Sequence, residues 1–239
     1  MAALNGKVAL VTGAGRGIGR AVALMLAKSG CRVVLCARTV EQLQAVEREI
    51  KEHHGVARAI PADLTDDAAV KKLAAETRRV FGSADILINN AGWGKRAPVT
   101  KASIDDWDQT FRLNLRAPMM LARELLPDMI AKGAGAVINI GSVSGKTGEA
   151  NGAAYSASKF GMIGFSQSLY EEVREHGIKV SVILPGFVDT ALIPPNRQLD
   201  RGKMIQPSDI ADAVYYVLTS GATCCPVEIT VRPQRTPYR

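Results

Sequence analysis

The chain has 239 residues, 47% of them apolar, enough for one large core, and no linker, composition shift or internal repeat divides it, so 1–239 reads as a single domain. No run of about 18 or more uninterrupted apolar residues occurs, which argues against a membrane span, and three histidines with four cysteines in no ligand-like spacing argue against a metal site. The net charge of +7 is scattered rather than striped and only 5% of residues are aromatic, which argues against a nucleic-acid partner and suits a positive field for anionic small molecules.

The opening "MAALNGKVALVTG" lacks a basic region followed by a long apolar stretch and a cleavage site. With Cys31, Cys36, Cys224 and Cys225 expected as free thiols, the predicted location is cytoplasmic. The first strand, "VALVTG", runs into "TGAGRGIG", Thr12 to Gly19, which opens a helix over Ile18 to Lys28. Glycines between a strand and a helix let the backbone turn sharply and approach a pyrophosphate at the helix N-terminus. Gly13, Gly15, Gly17 and Gly19, with Arg16 and Ile18 between them, are therefore candidate dinucleotide-binding residues.

The second strand, "RVVLCA", ends at Arg38, where an NAD site carries a carboxylate about 20 residues beyond the glycines. Either Arg16 or Arg38 alone passes for a surface charge. Together, with the acid missing, they predict NADP(H) in preference to NAD(H), because guanidinium groups pair with a 2′-phosphate. A helix over Val40 to Glu52 leads to the third strand, "VARAIPAD", which ends at Asp63 and Leu64. Asp63 is either an acceptor for an adenine amino group or a helix cap.

A helix over Asp67 to Phe81 precedes the fourth strand, "DILINNAG", with Asn90, Ala91 and Gly92 at its end and Trp93 next, a pocket wall or a loop anchor. A long helix is predicted over Trp107 to Ala131, and Asn114 inside it is either a local kink satisfied by backbone or a functional group. The fifth strand, "AVINIGS", ends at Ser142, followed by Val143. In the helix over Ala154 to Glu175, Tyr155 and Lys159 project from one face, one turn apart. A cation beside a phenol favours the phenolate, although two snorkelling side chains on a closely packed helix would look the same.

The sixth strand, "KVSVILPG", is followed by Pro185 to Thr190 and then by an irregular stretch, 192–207, predicted to be a substrate loop or lid or else an ordinary surface excursion. A helix over Ser208 to Leu218 and a strand "VEITVRP" complete the chain. Seven apolar strands separated by helices predict an α/β fold: a doubly wound, seven-stranded parallel sheet with helices on both faces.

Seven motifs occur in order: "TGAGRGIG", Ala62-Asp63, "NNAG" ending at Gly92, Asn114, Ser142, "YSASK" at Tyr155 to Lys159, and "PGFVDT" at Pro185 to Thr190. Each is weak alone; in this order and spacing the chain resembles the short-chain dehydrogenases/reductases from Lys7 to about Leu218. That resemblance implies a single-domain Rossmann fold and a catalytic set of Asn114, Ser142, Tyr155 and Lys159. Tyr155 would exchange a proton with substrate, and Ser142 would hold the carbonyl oxygen. Lys159 would hold the nicotinamide ribose and lower the phenol pKa, while Asn114 would anchor a water linking Lys159 to solvent. The implied cofactor contacts are Gly13, Gly15, Arg16, Gly17, Ile18, Gly19, Arg38, Asp63, Leu64, Asn90, Ala91, Gly92, Tyr155, Lys159, Pro185, Gly186, Val188 and Thr190. Ser142, Val143, Trp93 and Tyr155 are the implied substrate contacts.

The small residues around Tyr155 (Ala153, Ala154, Ala157, Ser158, Gly161 and Gly164) leave a smooth helix, which the resemblance assigns to a homotetramer or homodimer interface and which packing within one subunit would equally use. In wording the chain is most similar to 3-oxoacyl-[acyl-carrier-protein] reductases. It departs from them in the lone cation Lys132, in Glu171-Glu172, which would repel an acidic carrier, and in the ending "PVEITVRPQRTPYR". The implied activity is NADPH-dependent reduction of a ketone, with a 3-oxoacyl thioester as the narrower substrate. An NADP-dependent dehydrogenase of a small hydroxy compound or sugar is the nearest alternative. A non-catalytic dinucleotide sensor would typically lack the Tyr or the Lys.

Overall fold

Alternation along the strands decides which helix packs where. A computed structural model of the chain describes residues 4–193 and 198–238. Its sheet has seven parallel strands in the order β3-β2-β1-β4-β5-β6-β7. They are β1 (Val8–Thr12), β2 (Arg32–Ala37), β3 (Val56–Pro61), β4 (Ile86–Asn89), β5 (Gly135–Ile140), β6 (Ile178–Pro185) and β7 (Glu228–Val231). Ala9, Val11, Val33, Leu35, Ile88 and Ile138 face one core, with α1 (Gly17–Lys28), α2 (Val40–Glu52) and α7 (Pro207–Thr219). Their neighbours Leu10, Val34, Cys36, Leu87 and Val137 face the other, with α3 (Asp67–Phe81), α5 (Ala117–Lys132) and α6 (Ala153–Val173). Both faces are covered at the centre of the sheet, which is why β1 and β4 are buried throughout, whereas the edge strands β3 and β7 carry exposed positions.

The predicted helix over Trp107 to Ala131 is not continuous. It starts earlier, as α4 (Ile104–Phe111), passes through one wide turn of π-helix at Arg112–Arg116, and resumes as α5. Pro118 supplies the reason. An α-helix would need the amide of residue 118 to bond the carbonyl of Asn114, and proline has no amide hydrogen. The hydrogen-bond ring widens there, and Asn114 sits inside the bulge, buried.

β1 pairs with β2 on one side and β4 on the other, so the chain winds outward in both directions from that seam. The crevice at the carboxyl ends of β1 and β4 is where ligands bind in such sheets. Part of the expected 192–207 loop, residues 194–197, lies outside the described residues. What flanks it is anchored: Val188 bridges Ile205, Leu199 bridges Tyr238, and Arg201 pairs with Asp189.

Candidate active site

The crevice is closed at its base by Thr12. Its Oγ1 accepts from the amides of Asn90 (2.9 Å) and Ala91 (3.0 Å) and donates to the Ile88 carbonyl (3.2 Å). Asn90 Nδ2 donates back to the Thr12 carbonyl at 2.9 Å, so the "NNAG" turn is bolted to the glycine loop. Two glycines there have no room for a side chain. Gly13 has φ of +65°, and a Cβ on it would lie 2.7 Å from Asn90 Nδ2. A Cβ on Gly19 would lie 2.2 Å from the Gly13 carbonyl oxygen.

The residue that caps α1, Arg16, is extended and makes no side-chain bond to the helix amides, and the first turn holds no acid. Those amides are a positive end without an internal side-chain partner, which suits a pyrophosphate. The loop after β6 folds onto the same place, since a Cβ on Gly17 would lie 3.1 Å from Thr190 Cγ2. The cradle therefore fits a dinucleotide.

Arg16 and Arg38 are both exposed, and neither forms a salt bridge among the described residues. Asp63, also exposed, accepts from the Thr65 amide (3.0 Å) and hydroxyl (2.8 Å). The Thr65 amide bond is the largest reason its carboxyl lies below the usual range, and the Arg38 charge adds to it. Asp63 is not the cap of α3; Asp66 is, accepting from the Ala68 amide. Leu64 is buried beneath this turn.

Across the crevice, polar side chains replace glycines. Lys159 is buried and donates to the Ile140 carbonyl at 3.0 Å, with its Nζ 5.7 Å from the centre of the Tyr155 ring. Gly92 passes beside it: a Cβ there would be 3.7 Å from Lys159 Nζ and 3.5 Å from Asn114 Oδ1. Asn114 clamps the main chain of Trp93 in both directions, accepting from its amide (2.8 Å) and donating to its carbonyl (2.8 Å). It also donates to Ser158 Oγ at 3.0 Å, and Ser158 donates to the Tyr155 carbonyl at 2.7 Å. Asn114 thus lies in the kink, with its side chain satisfied by the Trp93 main chain and by Ser158.

Beneath lies a buried ladder, Asn89 to Asn139 (2.8 Å), Asn139 to Ser166 (2.9 Å) and Ser166 to the Met162 carbonyl (2.7 Å), which ties α6 to β4 and β5. Ser142 caps the turn Val143–Gly145, its Oγ accepting from the Ser144 amide at 3.1 Å, and Val143 is half-buried beside it.

The electrostatics differ from the expectation. Burial lowers the Lys159 ammonium to about 8. Burial also raises the Tyr155 phenol, against a lowering from a hydrogen bond with Ser142; Glu149 adds to the rise and Arg96 opposes it. The expected depression of Tyr155 by Lys159 is not found in the protein alone, because taking both groups out of water disfavours both charged forms.

Two participants were not singled out as residues, Gly94 and Glu149. Gly94 lies against the Tyr155 ring, since a Cβ on it would be 2.6 Å from Cδ2. Glu149 pairs with Arg96 and accepts from Ser144 Oγ at 2.7 Å. The "GWG" run carried a signal for the first, because an isolated glycine marks close approach. Nothing local in the sequence marks the second. Among the described residues no group of three or more His, Cys, Asp or Glu side chains is placed to hold a metal, and no helix is long and apolar enough to cross a membrane.

Residues 7–200 match the protein-family profile described as short chain dehydrogenase. An uncharacterised oxidoreductase of Staphylococcus aureus (strain USA300) is 38% identical over 233 residues, covering 98% of this chain and all of the relative. A counterpart in Staphylococcus haemolyticus is 36% identical over 235 residues, with 98% of this chain and 100% of the relative covered. Among solved structures, a metagenomic short-chain oxidoreductase in complex with NADP superposes with a TM-score of 0.88 at 40% identity, covering 98% of this chain and 100% of that one. A blue fluorescent protein from a metagenomic library, in complex with NADPH, gives 0.89 at 31% identity, covering 96% of this chain and 98% of that one.

Proposed function

The chain is an oxidoreductase that belongs to the short-chain dehydrogenase family, and on that premise we propose that it is an NADPH-dependent carbonyl reductase interconverting a ketone and a secondary alcohol. The observation that carries this reading is the meeting of Ser142, Tyr155 and Lys159 at the mouth of a cradle that fits a dinucleotide. When bound, the nicotinamide supplies or takes up the hydride. Tyr155 holds a proton at its phenol oxygen for the alkoxide that hydride addition leaves, and the adjacent Ser142 hydroxyl would donate a hydrogen bond to that substrate oxygen. Lys159 would hold the nicotinamide ribose. Because the Asn114 side chain is taken up by Trp93 and Ser158, a water serving Lys159 would rest on the Asn114 main-chain carbonyl.

Preference for NADP(H) over NAD(H) is supported by the two exposed guanidiniums, Arg16 and Arg38, and by the NADP and NADPH bound in the two similar structures. For the substrate we propose a 3-oxoacyl thioester, presented without an acyl carrier protein. Lys132 is already engaged, donating to Asp85 (2.9 Å) and to the Ser83 carbonyl (3.2 Å), so it offers an acidic carrier little.

A homotetramer or homodimer is proposed through α4 to α6. Phe111, Met119 and Phe160 are 37%, 46% and 47% exposed there, and Gly164 meets nothing within 4 Å. Gly161, by contrast, packs on Leu115 of its own chain. A cytoplasmic setting accords with four free thiols.

The test is cofactor consumption with acetoacetyl-CoA, with NADPH and NADH side by side. Turnover with NADPH preferred is the expected result. Binding of NADPH without consumption would sink the thioester and send the search to other ketones. Sedimentation of the wild type against Phe160→Asp tests the assembly, which should fall to a smaller species.

A further inference from the structure

The segment Trp93 to Ala97 forms a strap across Tyr155. Asn114 holds its first residue by both main-chain groups, and at its far end the Ala97 amide donates to the Asn151 carbonyl at 2.9 Å. Between these points Gly94 lies on the phenol ring: a Cβ there would come within 2.6 Å of Cδ2 and 3.1 Å of Cβ and Cγ.

Glu149 touches each of the three elements that carry the acid site. One carboxylate oxygen accepts from Ser144, which is 4% exposed and lies in the turn capped by Ser142. The other oxygen takes the guanidinium of Arg96, in the strap. Its amide donates to Ser156 Oγ at 3.4 Å, next to Tyr155 in the first turn of α6. Burial pushes the Glu149 carboxyl up, but Ser144 and Arg96 outweigh it and hold it below the usual range, so the ion pair is present at neutral pH.

We infer that Glu149 is a positioning residue for Tyr155: through Arg96 it latches the 93–97 strap over the phenol ring and, through Ser144, fixes the ring beside Ser142. The inference rests on the reading of Tyr155 as the proton donor. The groups that face the phenol are Ser142 from the turn after β5, Lys159 from α6, and Glu149 and Arg96 from the two loops. Burial of the ring is the largest influence on it, and the strap supplies part of that cover.

Arg96→Gln separates a latch from a through-space charge. Removing a nearby cation without moving the strap would raise the phenol pKa, because Arg96 lowers it. Releasing the strap exposes the ring and lowers it. The measurement is a tyrosinate absorbance titration, each protein taken as its difference from the same protein carrying Tyr155→Phe.

The latch predicts a lower midpoint in Arg96→Gln and in Glu149→Gln, with Arg96→Lys returning towards wild type. It also predicts a loss of roughly tenfold in kcat with acetoacetyl-CoA, with the NADPH KM unchanged. A midpoint that rises or stays put in Arg96→Gln overturns the latch. Arg96 is 61% exposed, so this variant reports even where Glu149→Gln fails to fold. The titration needs no substrate, so failure of the ketone assignment shows as absent turnover with the midpoints still shifted.

Discussion

The two walls of the crevice are built from opposite materials. On the β1 side the shape is made by absence: Gly13 and Gly19 leave no space for a methyl group, and the α1 amides are left uncapped. On the opposite side it is made by buried polar groups, Asn114 from the wide turn before α5 and Ser158 and Lys159 from α6, each satisfied by a named partner. The first wall fails by overcrowding, because a backbone cannot step aside. The second fails by orphaning, because a buried donor or acceptor without its partner bears the full desolvation cost.

Tyr155→Phe should show the largest effect and sharpen the contrast, since it removes only a hydroxyl from the polar wall. Turnover should fall roughly 10³-fold, while NADPH affinity, followed by nicotinamide fluorescence, stays near wild type. Next comes the glycine wall. Gly19→Ala should cost about 3 kcal/mol in urea unfolding and weaken NADPH binding, whereas Gly164→Ala, with open space around it, should not destabilise the subunit.

The polar wall should also carry a pH signature. The folded protein lowers Lys159 to about 8 from the ordinary 10.5, so between those values the unfolded chain holds more protons than the native one. The cost of burying the ammonium is present in full below pH 8 and is relieved as pH rises to 10.5. Measured against Lys159→Met, wild-type stability should therefore climb by about 3 kcal/mol across that window. A flat difference would mean that the ammonium is solvated.

Asn114→Ala should cost about 2 kcal/mol by leaving the Trp93 amide and carbonyl unpaired. Arg38→Ala is the mildest, with NADPH binding roughly tenfold weaker and NADH unaffected.

The glycine wall was legible in the sequence, because a glycine run between a strand and a helix is local information. The strands and both helix layers were legible for the same reason, the strands as short apolar runs and the helices as longer stretches with apolar residues on one face. The polar wall was legible only in part. Tyr155 and Lys159 share a helix turn, but the partners that satisfy this wall come from far along the chain, as Ser158 does for Asn114, 44 residues away. The break at Asn114 was written in Pro118, yet apolar periodicity runs straight through it. The Arg96–Glu149 pair spans 53 residues, and two opposite charges at that distance carry no signal until the fold brings them together. The direction of the Tyr155 shift was missed because spacing reports proximity and says nothing of desolvation.

The Thr12 bolt has a consequence for how the molecule comes into being. It joins residues 78 apart in the chain, across the seam where β1 and β4 pair. Closing so long a loop is slow, because its entropy is lost before any contact rewards it. Until the seam closes, Ile86, Leu87 and Ile88 present a bare apolar edge to other nascent chains, the sort of surface from which aggregates grow. The crevice and the seam are one structure, so the crevice takes shape only as that apolar edge is covered.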